Sequence, residues 1–202
     1  MDVGVLALQG AFIEHEQTLR DLGVHAVEVR LPEQLQDVDA LIIPGGESTT
    51  IGKLAVAYHL LEPLREFAVS HPVWGTCAGM IMLAKDTGRD QPLIGVMDIK
   101  VDRNAFGRQV DSFETDLEVP DLGAEPFHAV FIRAPLVTGV SDGVQILARL
   151  PDGGIVAVRQ GHWLATAFHP ELTPDSRFHR YFLEHVAGIR TRASGRSSAS
   201  RA

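Results

Sequence analysis

One cysteine in a chain of 202 residues leaves no partner for an internal disulfide and no basis for a multi-cysteine zinc site. A reducing compartment follows, and the cytoplasm is the expected location. Basic residues are outnumbered: 18 Lys and Arg against 26 Asp and Glu give a formal net charge of −8. A general nucleic-acid binder is therefore not expected, because phosphate contacts need clustered cations. No apolar run reaches the roughly 18 residues that span a bilayer, so no membrane partner is expected. The opening Met1-Asp2-Val3-Gly4-Val5-Leu6-Ala7-Leu8 lacks a basic leader and reads as a buried strand rather than a signal peptide. There is no internal repeat and no dividing linker. With 45% hydrophobic residues, the chain suits one domain over 1–187. Residues 188–202 are rich in Arg, Ser, Thr and Ala; they read as a disordered tail, with a basic contact arm as the alternative.

What is present is a regular alternation. Strand-like runs at 3–8, 24–29, 39–43 and 72–76 are separated by helical patterns, the first over 12–22 and closed by Gly23. Such alternation is how a parallel sheet with crossover helices is written. Ser48 or Thr49 is placed to cap the helix after the third strand, and Pro63 to start another helical segment. The second half differs. Runs near 93–101, 109–119, 127–133, 144–150, 155–160 and 163–168 look like strands joined by turns such as Pro151-Asp152-Gly153-Gly154. They predict antiparallel hairpins added to the parallel sheet, with a last helix over about 175–186. The expected fold is α/β: three layers, a mostly parallel central sheet, flanking helices and added antiparallel strands.

The cysteine, Cys77, stands in Val73-Trp74-Gly75-Thr76-Cys77-Ala78-Gly79-Met80, a strand that breaks into small residues before another apolar stretch. A strand, a tight turn and a helix would put the sulfur at the apex, facing the helix N-terminus. Such a terminus stabilises a thiolate and can hold the oxyanion of an attacked carbonyl. The other reading is a small buried hydrophobe, the common fate of a lone cysteine. Glycine on both sides, at 75 and 79, favours the nucleophile by allowing a cramped backbone and close approach of a substrate.

A thiol needs a base, and Phe168-His169-Pro170-Glu171 at the end of the last strand offers one. Residues two apart in extended chain share a face, so Glu171 can hold one imidazole nitrogen of His169 while the other faces the thiol. An ordinary surface histidine is the competing reading. The remaining eight histidines show no spacing that converges on a metal. Glu14-His15-Glu16 looks metal-like, but consecutive helical residues point about 100° apart, so a solvated face is expected there. No metal and no cofactor is expected.

Together, Gly75-Thr76-Cys77-Ala78-Gly79 and the downstream His169-Pro170-Glu171 resemble the class I, triad-type glutamine amidotransferases. Three further signatures resemble one branch, the glutaminase subunits of pyridoxal 5'-phosphate synthase. These are Leu8-Gln9-Gly10-Ala11-Phe12 with Glu14-His15, Pro44-Gly45-Gly46-Glu47-Ser48-Thr49-Thr50, and Arg103-Asn104-Ala105-Phe106-Gly107-Arg108-Gln109. The resemblance runs from residue 3 to about 187 and leaves out only the tail. It implies a flavodoxin-like sheet and hydrolysis of L-glutamine to L-glutamate and ammonia, with Cys77 as nucleophile, His169 as base and Glu171 orienting it. It implies an oxyanion hole from Gly45, Gly46 and Ala78, and a substrate pocket from Gly46, Glu47, Ser48, Arg103, Ile132 and Arg133. By residue type alone, Arg103 and Arg133 fit a substrate carboxylate and an ordinary surface equally well.

The resemblance also implies a partner. The glutaminase machinery fills the chain, leaving no domain to use the ammonia. In that family the recipient is a (β/α)8-barrel subunit that assembles pyridoxal phosphate from phosphosugars, within a large ring-based hetero-oligomer whose docking switches on hydrolysis. Pyridoxal phosphate would then be a product of the complex and not a bound cofactor. Two other classes stay open at this point: a stand-alone cysteine hydrolase, such as a γ-glutamyl hydrolase, and a non-catalytic sensor or interaction module with a redox thiol.

Overall fold

Short apolar runs set the first half of the chain, fully buried in the third and fourth strands and exposed along one edge in the second, because strands covered on both faces need no polar alternation. In a computed structural model that describes residues 1–103 and 112–191, these runs are β1 (Asp2–Leu6), β2 (His25–Val29), β3 (Ala40–Ile43) and β4 (Val73–Thr76). Between them lie α1 (Phe12–Asp21), α2 (Ser48–Ala57) and α3 (Leu61–Ser70). After β4 come α4 (Ala78–Leu83), β5 (Ala84–Asp86), β6 (Met97–Asp102), β7 (Ser112–Leu117), β8 (Phe127–Ile132), β9 (Leu136–Val140), β10 (Gln145–Arg149), β11 (Ile155–Gln160) and β12 (Trp163–Thr166). The final helix, α5 (Arg177–Tyr181), continues into a wider π-type turn over Phe182–Val186. The segments 104–111 and 192–202 lie outside the described residues. They take with them most of the 103–109 signature, the start of the strand expected at 109–119 and most of the tail expected at 188–202.

The main sheet runs in the order β2-β1-β3-β4-β12-β11-β9-β6-β5, with β10 also paired to β11. From β2 to β12 every ladder is parallel. This is the flavodoxin-like order, in which ligands bind beyond the carboxyl ends of the strands. The ladders that join β6, β9, β10, β11 and β12 to one another on the other side are antiparallel. The fold is therefore α/β with a mostly parallel centre and added antiparallel strands.

Adjacent residues of β4 show the layering. Trp74 meets His15 of α1 and His179 of α5 in edge-on ring contacts. A side chain at Gly75 would run into the backbone of α4. Successive strand residues point to opposite faces, so α1 and α5 cover one face and α4 the other. Three layers result.

Four expectations need correction. The last strand is not simply the end of a hairpin: β12 pairs antiparallel with β11 on one side and parallel with β4 on the other. The strand expected at 93–101 likewise pairs in parallel, with β5. β7 and β8 do form an antiparallel hairpin, but as a separate two-stranded sheet. Nor does packing stop at Gly188, since Ile189 is buried and Thr191 accepts a hydrogen bond from Arg180.

Candidate active site

β4 ends at Thr76 and α4 begins at Ala78, so Cys77 must turn the chain by itself. It does so at φ 48°, ψ −103°, a left-handed conformation unusual for a residue with a side chain. Such a conformation costs about 1–3 kcal/mol and persists only where surroundings enforce it. Here a Cβ on Gly79 would sit 2.1 Å from the carbonyl oxygen of Ile43, so α4 can press onto the sheet only because that residue is glycine. The glycines at 75 and 79 thus serve backbone packing, not the approach of a substrate as their position in the sequence suggests. The Cys77 N–H donates to Thr166 O at 2.8 Å, which ties the turn to the end of β12.

That tie brings the histidine within reach. β12 and β4 are parallel neighbours in register, Thr166 beside Thr76, so the chain leaving β12 emerges next to Cys77. The His169 N–H donates to Val130 O at 2.8 Å, and its imidazole and the Cys77 side chain both flank Gly45, with the thiol 3.9 Å from Ile132 O. Burial alone would lower the pKa of His169, but the Cys77 sulfur and then the Glu171 carboxylate hold it up at about 10. Nδ1 of His169 donates to Glu171 Oε1 at 2.7 Å. Glu171 shares its face through a single 3-10 turn, Pro170–Leu172, and not through extended chain. Burial opposes its ionisation, but the neighbouring His15 ring and then His169, which also donates a hydrogen bond to it, keep its pKa below the usual range.

Cys77 and His169 open into a cleft of about 520 Å³ lined also by Gly45, Gly46, Glu47, Ser48, Ala78, Arg103, Ile132 and Arg133. All the expected cleft residues thus converge, and Glu171 stands behind His169. Gly45 packs so closely that a Cβ there would be 2.3 Å from His169 Cε1. Its carbonyl accepts from Ala11 N–H at 3.1 Å, and Glu47 N–H donates to Gln9 Oε1 at 2.7 Å. The 44–48 loop is therefore fastened to the loop after β1, which gives Gln9, part of the cleft wall, a structural task. Arg103 donates to Glu47 Oε1, Thr49 Oγ1 and Gln91 Oε1 at 2.8, 3.0 and 2.8 Å, so its guanidinium is held in place at the rim. The Ser48 hydroxyl is buried without a hydrogen-bond partner. Arg133 is exposed with φ 43°, and Ile132 beside it is 37% exposed.

Glu47 also corrects an expectation about α2. The cap is neither Ser48 nor Thr49: the Glu47 carboxylate reaches over the helix start and accepts from the N–H groups of Thr49 and Thr50. Desolvation is the largest single influence and opposes ionisation, but these hydrogen bonds, led by Thr50, together lower its pKa to about 2.

The solvated face expected at 14–16 is only partly so. Glu14 is exposed, but His15 is fully buried and Glu16 nearly so. His15 Nδ1 is 2.9 Å from His179 Nε2, and its Nε2 lies 3.3 Å from Thr76 Oγ1 and 3.4 Å from Glu171 Oε2. The signal was available: Phe12, His15, Glu16 and Leu19 fall at the i, i+3, i+4, i+7 spacing of a helix face turned inward. Among the described residues no group of three His, Cys, Asp or Glu is placed to hold a metal ion. None of their helices is long and apolar enough to cross a membrane.

The profile of the SNO glutamine amidotransferase family matches residues 5–188. The pyridoxal 5'-phosphate synthase subunit PdxT of Herpetosiphon aurantiacus is 65% identical over 188 residues, covering 91% of this chain and 99% of that protein. Its counterpart from Frankia alni is 58% identical over 198 residues, covering 96% and 98%. A solved structure described as a glutamine amidotransferase superposes with a TM-score of 0.86 at 55% identity, covering 93% of this chain and 99% of that one. At 17% identity, a chain of the PurLQS structure from Thermotoga maritima shares the fold, with a TM-score of 0.65. With its profile matched almost end to end, the chain belongs to the SNO glutamine amidotransferase family.

Proposed function

We propose that this chain is the glutaminase subunit of a pyridoxal 5'-phosphate synthase, hydrolysing L-glutamine to L-glutamate and ammonia on Cys77, His169 and Glu171. The observation that carries the chemistry is the file of groups from the Cys77 thiol through His169 to Glu171 at the floor of the cleft. With the proton of the Cys77–His169 pair held on the imidazole, the sulfur attacks the side-chain amide carbon. Charge gathers on the amide oxygen, where the backbone N–H groups of Ala78 and the 45–46 loop are the donors in position to meet it. One such donor is worth about 3–4 kcal/mol, so small movements of that loop control the rate. The protonated His169 then gives its proton to the departing nitrogen. Ammonia leaves, and water attacks the glutamyl thioester with His169 as base, restoring the thiol and releasing glutamate. Gly46, Glu47, Ser48, Arg103, Ile132 and Arg133 form the substrate wall. Arg103, held by Glu47, presents positive charge toward the α-carboxylate of glutamine.

Ammonia freed into water near neutral pH would be protonated and lose its nucleophilicity, so it passes directly to a synthase subunit. In this proposal that subunit is a (β/α)8 barrel in a large hetero-oligomer, and pyridoxal phosphate is the product of the assembly. The high-identity relatives named as subunits of that synthase support the reading. The test is Cys77→Ala in the reconstituted complex. Glutamine-dependent synthesis falls to background while synthesis from added ammonium salts continues at the wild-type rate. Loss of both activities would contradict the division of labour, and retained glutamine-dependent synthesis would remove Cys77 as nucleophile.

A further inference from the structure

Glu171 uses one carboxylate oxygen on His169; the other, Oε2, is fully buried and accepts no hydrogen bond. A buried carboxylate oxygen left alone is costly. The group that faces it, at 3.4 Å, is Nε2 of His15, a residue likewise without exposure to solvent. His15 arrives from α1, a different element, and is gripped on its other nitrogen by His179 of α5 at 2.9 Å. Trp74 stands edge-on to both rings. The pair therefore has little freedom to rotate.

The charge of Glu171 decides where the protons sit. If His15 Nε2 were bare, its lone pair would face a buried carboxylate oxygen at 3.4 Å, a repulsion that the Thr76 hydroxyl at 3.3 Å could offset only in part. The Nε2–H form turns a positive dipole to that oxygen instead. Burial lowers the pKa of both His15 and His179, so each carries one ring proton near neutral pH. His15 Nδ1 is then the acceptor, and the proton between the rings belongs to His179 Nε2. This leaves Nδ1 of His179 bare, the one ring nitrogen of the pair without a partner. The His179 ring then donates to His15, whose Nε2–H lies between Thr76 Oγ1 at 3.3 Å and Glu171 Oε2 at 3.4 Å.

We propose that His15 is a positioning residue for the triad: locked by His179 in the neutral Nε2–H form, it steadies the second oxygen of Glu171 and so aims the first at His169. It touches neither substrate nor sulfur. This rests on Glu171 being the third member of the triad, and the experiment separates the two.

Glutamate release is measured in the complex with the synthase subunit for the wild type, His15→Leu, His15→Gln, Glu171→Ala and the double variant His15→Leu with Glu171→Ala. His15→Leu lowers kcat about tenfold with KM little changed, the scale expected for leaving a buried carboxylate oxygen with no donor facing it. His15→Gln, whose amide offers an N–H from nearly the same place, recovers most of the loss. In the Glu171→Ala background, His15→Leu costs little more, because its effect travels through that carboxylate. A full additional loss there, equal impairment by Leu and Gln, or wild-type kcat in His15→Leu would each overturn the inference. Wild-type turnover in Glu171→Ala would instead remove the triad reading. The ring nitrogen-15 resonances of the wild-type chain at neutral pH supply a check that needs no variant to fold. His15 protonated on Nε2 alone supports the proposal, whereas the Nδ1–H form or an imidazolium would end it.

Discussion

Cys77 and His169 work as a pair because the imidazole keeps its proton beside the sulfur. Burial pulls the pKa of His169 down, while the thiol and then Glu171 raise it to about 10. A group whose pKa is raised on folding stabilises the fold below its unfolded value, near 6.5, and that contribution is lost as pH rises through about 10. Since the sulfur is the largest raising influence, replacing Cys77 with Ala lowers the titration midpoint of His169. Histidine proton resonances followed against pH in the two proteins measure this, and an unmoved midpoint would show that the two side chains are not coupled. Much of this scale was legible beforehand, because a lone cysteine between small residues after a strand and a His-Pro-Glu turn are local patterns. His15 was not read correctly. Its neighbours Glu14 and Glu16 suggested a wet surface, whereas the helix turns 15 and 16 toward the sheet.

Among the elements, the loop over 44–48 connects fold to chemistry most directly. Glu47 caps α2, grips Arg103 and is fixed at its own N–H by Gln9. Replacing Glu47 with Ala costs about 1 kcal/mol at neutral pH, the usual size of an N-cap. The carboxyl is acidified in the folded state, so its stabilisation is present above its unfolded pKa of 4.5 and is lost as pH falls through about 2. Urea unfolding of both proteins across the acid range shows the difference shrinking as pH falls; a difference independent of pH would mean that the charge plays no part. The cap was misplaced on sequence grounds because Ser and Thr are the usual capping residues, and the reach of a longer carboxylate back over the next turn leaves no local mark. The short β5 and β9 were missed for a related reason. Strands of three to five residues, Ala84–Asp86 and Leu136–Val140, carry too little alternation to be seen without their partners.

For the whole molecule, the decisive event is the return of β12 to lie parallel beside β4, some ninety positions away in the chain. Hairpin patterns in the second half predict neighbours that are close in sequence, so this long-range pairing was not legible from them. Yet it carries His169 to Cys77, and with β1 and β3 it gathers the site at the carboxyl ends of the parallel strands, where this sheet order binds ligands. The resulting cleft is open to the surface, with Ile132 and Leu172 at its wall 37% and 45% exposed. An open site of this kind suits a chain whose product must pass to another subunit. Glutamate release from L-glutamine, measured for the chain alone and with the synthase subunit added, tests that claim most directly. Turnover that rises on adding the partner and vanishes in Cys77→Ala is the predicted result; no glutamate release with the partner present, or release that persists without the thiol, would contradict it.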